Sequence, residues 1–138
     1  PKSQELPAVY SNGPYYRLMT SQNGSIVELD GGFDPSKPFP WIPGAFEADE
    51  NWAALVDKNG FGMGIVNFDT TSFIGGFSGT KGSGGPEDPQ TGYVAPVLNV
   101  ALPAQGNYSY TCYLVLGDVD TIRAYATQVR SDGYSFFH

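Results

Sequence analysis

Three carboxylates, Glu47, Asp49 and Glu50, lie close together between two tryptophans, Trp41 and Trp52. Paired carboxylates are the machinery of glycoside hydrolysis. One protonates the leaving oxygen, and the other attacks or activates water, across a gap of about 5–5.5 Å or about 6.5–9.5 Å. On an extended backbone Glu47 and Asp49 share a face and Glu50 points the other way. The same run also reads as a solvated acidic turn. A second acidic pair, Asp30 and Asp34, flanks Gly31-Gly32. Their carboxylates and the intervening carbonyls have the hard oxygen chemistry that calcium prefers, although the spacing is not that of an EF-hand loop. Beside Gly and Pro, the two aspartates serve equally well as turn-formers.

Aromatic side chains are the other chemical resource. Tyr15, Tyr16, Trp41, Phe46, Trp52, Phe73, Phe77 and Tyr93 are candidates both for the core and for a binding face. The negative face of an aromatic ring attracts the C–H groups of a sugar ring, and nearby amides and carboxylates bond its hydroxyls. Trp41, Trp52, Tyr15 and Tyr93 are therefore the candidate stacking residues, with Asp49, Glu50 and Asn51 as hydroxyl partners. Trp41 is held in Pro38-Phe39-Pro40-Trp41-Ile42-Pro43, a stiff setting that loses little entropy on binding.

Other chemistries find few residues. The single histidine is His138 and the single cysteine is Cys112, which argues against a Ser-His-Asp triad, a Cys-His pair or a zinc site. Cys112 reads as a small buried hydrophobe. The glycine-rich run from Gly75 to Gly92 lacks the phosphate-loop order and no helix follows it. A formal net charge of -7 disfavours nucleic acid and anionic membranes as partners. No apolar run approaches the roughly 20 residues that span a bilayer.

The elements that position these groups read as short strands. Charged residues are only 15%, while Gly numbers 18 and Pro 11, a composition of many turns. Strands are expected at residues 15–20, 25–29, 71–74, 93–102 with a break at Pro96, and 109–116, the last as a central strand. Residues 30–46, rich in Pro, are expected to be irregular. Residues 52–56 and 61–66 flank Asn59-Gly60, a hairpin signal with φ > 0 tolerated at both positions. Gly62 and Gly64 leave one face of that hairpin bare for a ring to pack on. One helix is expected after an Asp118 or Asp120 cap, with Ile122, Tyr125, Ala126 and Val129 on one stripe and Asp132-Gly133 at its end.

Three stretches carry a resemblance: Gln4-Glu5-Leu6-Pro7-Ala8-Val9-Tyr10, then Glu50 to Val56 with Gly60 to Gly64, then Tyr113 to Asp118 leading to Ile122-Arg123. Together they resemble β-sandwich regions of large secreted microbial proteins associated with polysaccharide degradation. The resemblance implies a carbohydrate setting and carries over no catalytic residue. The expectation is an all-β, antiparallel two-sheet β-sandwich of six to eight strands, or a jelly roll, with one short C-terminal helix. Residues 1–138 read as one domain of a larger secreted protein, covalently linked to neighbouring domains. The expected function is noncatalytic binding of a polysaccharide or oligosaccharide, with no cofactor unless calcium binds. The alternatives are a fragment of a glycan-cleaving enzyme and a structural spacer.

Overall fold

The structure, a computed structural model, describes residues 2–30, 32–38, 40–77 and 92–132, without the side chains of Lys2, Phe33 and Trp41. Among these residues are eleven strands and one helix. In chain order they are β1 (Lys2–Glu5), β2 (Val9–Ser11), β3 (Arg17–Gln22), β4 (Ser25–Leu29), β5 (Gly32–Phe33), β6 (Trp41–Glu47), β7 (Trp52–Val56), β8 (Phe61–Val66), β9 (Ser72–Phe77), β10 (Gly92–Val100), β11 (Tyr113–Asp118) and α1 (Val119–Ser131). They form two antiparallel sheets, one ordered β1-β10-β9-β6-β5 with β2 also on β10, the other β11-β8-β7-β3-β4. The chain is an all-β two-sheet sandwich with a single C-terminal helix, as its turn-rich composition implies.

Two apolar layers hold it together. Leu18, Ala53, Leu55, Ile65, Phe73 and Val94 fill the space between the sheets. Met19, Trp52, Ala54, Val56, Val66, Ile122 and Ala126 fill a second layer, where α1 lies on the outer face of the second sheet. Strand β7 serves both, and each of its five residues is buried. A strand covered on both faces needs an unbroken apolar run rather than alternation, hence Trp-Ala-Ala-Leu-Val. The helix begins with no loop after β11, and the Asp118 carboxylate caps it by accepting from the Thr121 amide at 2.7 Å. That contact, first through the backbone and then through the Thr121 side chain, holds the Asp118 carboxyl below its ordinary range.

Several local expectations need correction. Trp41–Glu47 is a strand, not irregular chain, and it lies inside its sheet between β5 and β9. β5 pairs only with Trp41 and Ile42, so Pro43 falls where one side of β6 has no strand partner among the described residues, and Pro needs no ladder bond there. β10 runs unbroken through Pro96. Its neighbour on one side is β2 as far as Val94 and β1 from Val97 onward. The Pro96 carbonyl accepts from the Leu6 amide at 3.0 Å, so the missing N–H points into the gap between those two partners. β11 starts at Tyr113 rather than residue 109 and stands at the edge of its sheet, not at the centre. The turn at Asn59-Gly60 has positive φ at Gly60 alone, because the Asp57 carboxylate takes the Asn59 and Phe61 amides and shapes a longer loop. The two-residue turn with both φ positive is Asn23-Gly24, between β3 and β4. The bare face of Gly64 receives Ile122 of α1 instead of a ring; a Cβ there would meet the Ile122 Cγ2 at 2.5 Å.

Candidate functional site

Strand pairing sets which side chains lie uncovered. Leu114 pairs with Ile65 and Leu116 with Met63, so both leucines point to the inter-sheet side. Yet they are 63% and 68% exposed, because the first sheet does not reach over β11. The sandwich is open along this margin, and a cleft of about 320 Å³ lies there between β2 of one sheet and β8 and β11 of the other. Its walls come from residues 9–12, Tyr15, Leu55, residues 61–63 and Leu116.

Two exposed rings rim the cleft, Phe61 at 50% and Tyr15 at 37% exposure, while Tyr10, on β2 between Val9 and Ser11, turns its ring to the outer face of the first sheet. Each has a fixed base. The Tyr15 amide donates to the Asn12 carbonyl and the Ser11 hydroxyl donates to the Tyr15 carbonyl, both at 3.0 Å. Phe61 is anchored through its backbone to Asp57, by amide to carboxylate at 3.0 Å and by carbonyl to amide at 2.8 Å. Tyr10 packs on the Tyr93 ring, centroid to centroid 5.1 Å. Tyr93 is buried, and its hydroxyl donates to the Glu5 carboxylate. Burial, and then Glu5, push that hydroxyl far above the usual phenol range, so it stays protonated. Among the described residues no charged side chain lines the cleft, and Ser11 and Asn12 are its polar side chains apart from the tyrosines.

Of the sequence candidates, Tyr15 lies on this cleft, and Tyr93 lies on the other face of the first sheet, against Tyr10. The others are elsewhere. Trp52 is fully buried beneath α1. Trp41 is in β6, and its side chain lies outside the described residues. Asn51 is buried, with φ at 65°; it donates to the Thr70 carbonyl at 2.7 Å and accepts from Arg130. The three carboxylates hold three separate junctions. Glu47 accepts from Thr71 and Ser72 at 2.7 and 3.2 Å, and Asp49 caps the β3–β4 turn through the Asn23 amide at 2.7 Å. Glu50 takes a forked contact from Arg123 at 2.9 and 3.1 Å. Burial opposes its ionisation, but Arg123, with the Ser21 hydroxyl beside it, prevails and holds the carboxyl below its ordinary range.

The Asp34 carboxylate accepts from the Ser36 amide and hydroxyl at 3.0 and 2.7 Å, a turn-forming arrangement. Among the described residues, no group of three or more His, Cys, Asp or Glu is placed to hold a metal. Cys112 is half-buried, just before β11, and its sulfur accepts from Asn67 at 3.2 Å. Burial raises its thiol pKa, against the opposing pull of Asn67, which leaves little thiolate.

Phe61 and Leu116 escaped the sequence reading, though each carries a signal. Phe61 is the first residue past the hairpin turn, and Leu116 alternates with Val115. Period-two alternation puts such residues on a defined face, but only the partner sheet decides whether that face is covered. No described helix is long and apolar enough to cross a membrane. Comparison with protein-family models, with curated proteins and with solved structures finds no match for this chain.

Proposed function

We propose that this domain is a noncatalytic carbohydrate-binding module of a secreted polysaccharide-degrading protein, and that the cleft between β2, β8 and β11 takes the sugar. The observation that carries the reading is the pairing of two exposed rings, Tyr15 and Phe61, at one cleft that no charged side chain among the described residues lines, both on rigid supports. Rings already ordered by their neighbours bind with little further loss of entropy. Ser11 and Asn12 stand at the rim for hydroxyls. The absence of lining charge and the net charge of -7 favour a neutral glycan over a uronic acid polymer. The separate structural engagement of Glu47, Asp49 and Glu50 favours binding over cleavage.

Affinity electrophoresis through neutral and acidic polysaccharides, with calcium and with chelator, tests the proposal. Retardation by a neutral glycan is expected, equal in both conditions because no carboxylate lines the site. Tyr15→Ala and Phe61→Ala should each weaken it about tenfold, the equivalent of roughly 1.4 kcal/mol of ring stacking. Retardation by no glycan, or retardation that both variants leave unchanged, would refute the assignment.

A further inference from the structure

Among the described residues β11 pairs only with β8, so its other backbone edge is open. The remaining sheet edges carry the usual protections. β4 bears Glu28, in an ion pair with Arg17 at 2.9 Å; β1 bears Glu5; β2 and β5 are only three and two residues long. β11 has neither Pro nor charge from Tyr113 through Gly117, and Leu114 and Leu116, on its inter-sheet face, are exposed. An unpaired, uncharged, apolar edge is a template for another strand.

We propose that two copies of this chain associate through β11, edge to edge and antiparallel, about a two-fold axis at Val115. Faces must match across the new pair, so only residues of the same parity can stand opposite each other. With Val115 opposite Val115, Leu114 of each copy meets Leu116 of the other, and both exposed leucines are covered. Moving the centre to Leu116 sets Leu114 against Asp118. Moving it to Leu114 sets Leu116 against Cys112. The Val115 register alone sets both exposed leucines against leucine, and it keeps the Asp118 carboxylates at opposite ends of the ribbon. The result is one continuous sheet with a self-complementary, isologous contact.

Size and charge set its strength. A six-residue strand with its flanking side chains falls short of the roughly 20–30 residues per side of a standard interface, so dissociation is expected on the order of micromolar. Each copy carries -7, so added salt should tighten the dimer by screening their repulsion.

Sedimentation velocity from roughly 1 µM to 1 mM reads the equilibrium. The wild type should pass from monomer to dimer across this range. Leu114→Lys should weaken it by at least about 30-fold with unchanged far-UV circular dichroism, since that side chain is solvent-exposed. Leu114 does not line the cleft, so this variant should bind glycan as the wild type does, and the two proposals fail separately. A Leu114→Lys/Leu116→Lys chain and a Leu114→Glu/Leu116→Glu chain should each be monomeric alone and dimerise when mixed. A wild type monomeric throughout, a Leu114→Lys chain that dimerises undiminished, or a mixture that stays monomeric would overturn the proposal.

Discussion

Trp52 illustrates how one residue type supports two opposite readings. In the sequence it stands beside three acids, where a sugar-stacking ring would stand. In the fold it is fully buried below α1, against Met19, Val66 and Ala126. Truncating a buried ring removes its transfer energy and leaves a cavity, so Trp52→Ala should lower unfolding stability by about 3–5 kcal/mol in urea titration. Its indole N–H has no acceptor among the described residues, so Trp52→Phe forfeits no hydrogen bond and should cost less. Glu50 gives a pH signature. Its carboxyl is depressed in the folded chain, so its contribution to stability is present above the unfolded-state value of about 4.3 and is lost as pH falls through the folded value. Melting temperature followed by calorimetry should show wild type above Glu50→Gln at neutral pH, with the two curves converging in acid. A constant difference across that range would mean that the Arg123 contact adds nothing. The acids were visible as a cluster in the sequence, but their partners Thr71, Asn23 and Arg123 come from three distant segments, and no local pattern announces them.

At the level of elements, legibility followed the range of the cause. The helix was readable because its cap and its stripe are local, although of the four stripe residues Ile122 and Ala126 are buried, Val129 is half-buried and Tyr125 is exposed. The β7–β8 hairpin was readable for the same reason. Strand identity at Pro43 and Pro96 was not, because whether a proline costs a ladder bond depends on what lies beside it, and among the described residues each falls where no strand pairs on one side. The edge position of β11 was hidden as well: a run of Tyr, Leu and Val says apolar, and the number of covering layers is a tertiary fact. Gly64 offers a test of how tightly helix and sheet are joined. A methyl there would overlap Ile122 at 2.5 Å, so Gly64→Ala should destabilise by about 1–3 kcal/mol through overpacking. Ile122→Ala removes the colliding Cγ2, so the double variant should be destabilised by less than the sum of the two single changes. Strict additivity of the two changes would show that the strand and helix do not meet there as described.

For the molecule as a whole, the two apolar layers are physically one structure because β7 has a face in each. Ala53 and Leu55 belong to the layer between the sheets, and Trp52, Ala54 and Val56 to the layer under α1. Pulling α1 away would expose the outer face of β7 and loosen the strand that the inter-sheet layer needs. The layers should therefore unfold together, even though α1 lies on the outside of the sandwich. Ile122→Ala is the direct probe. It opens a cavity in the helix layer alone, where such truncations cost about 2–5 kcal/mol. If β7 couples the layers, circular dichroism in the helical far-UV band, where α1 contributes most per residue, and a fluorophore attached at Cys112, which packs on the inter-sheet layer, should report the same lowered urea midpoint. The slope should match that of the wild type, because the surface exposed on unfolding is unchanged. Should the two probes separate, or the slope fall, the helix layer would be melting ahead of the sandwich. β7 would then be a shared wall between two independently stable units rather than the strand that joins them.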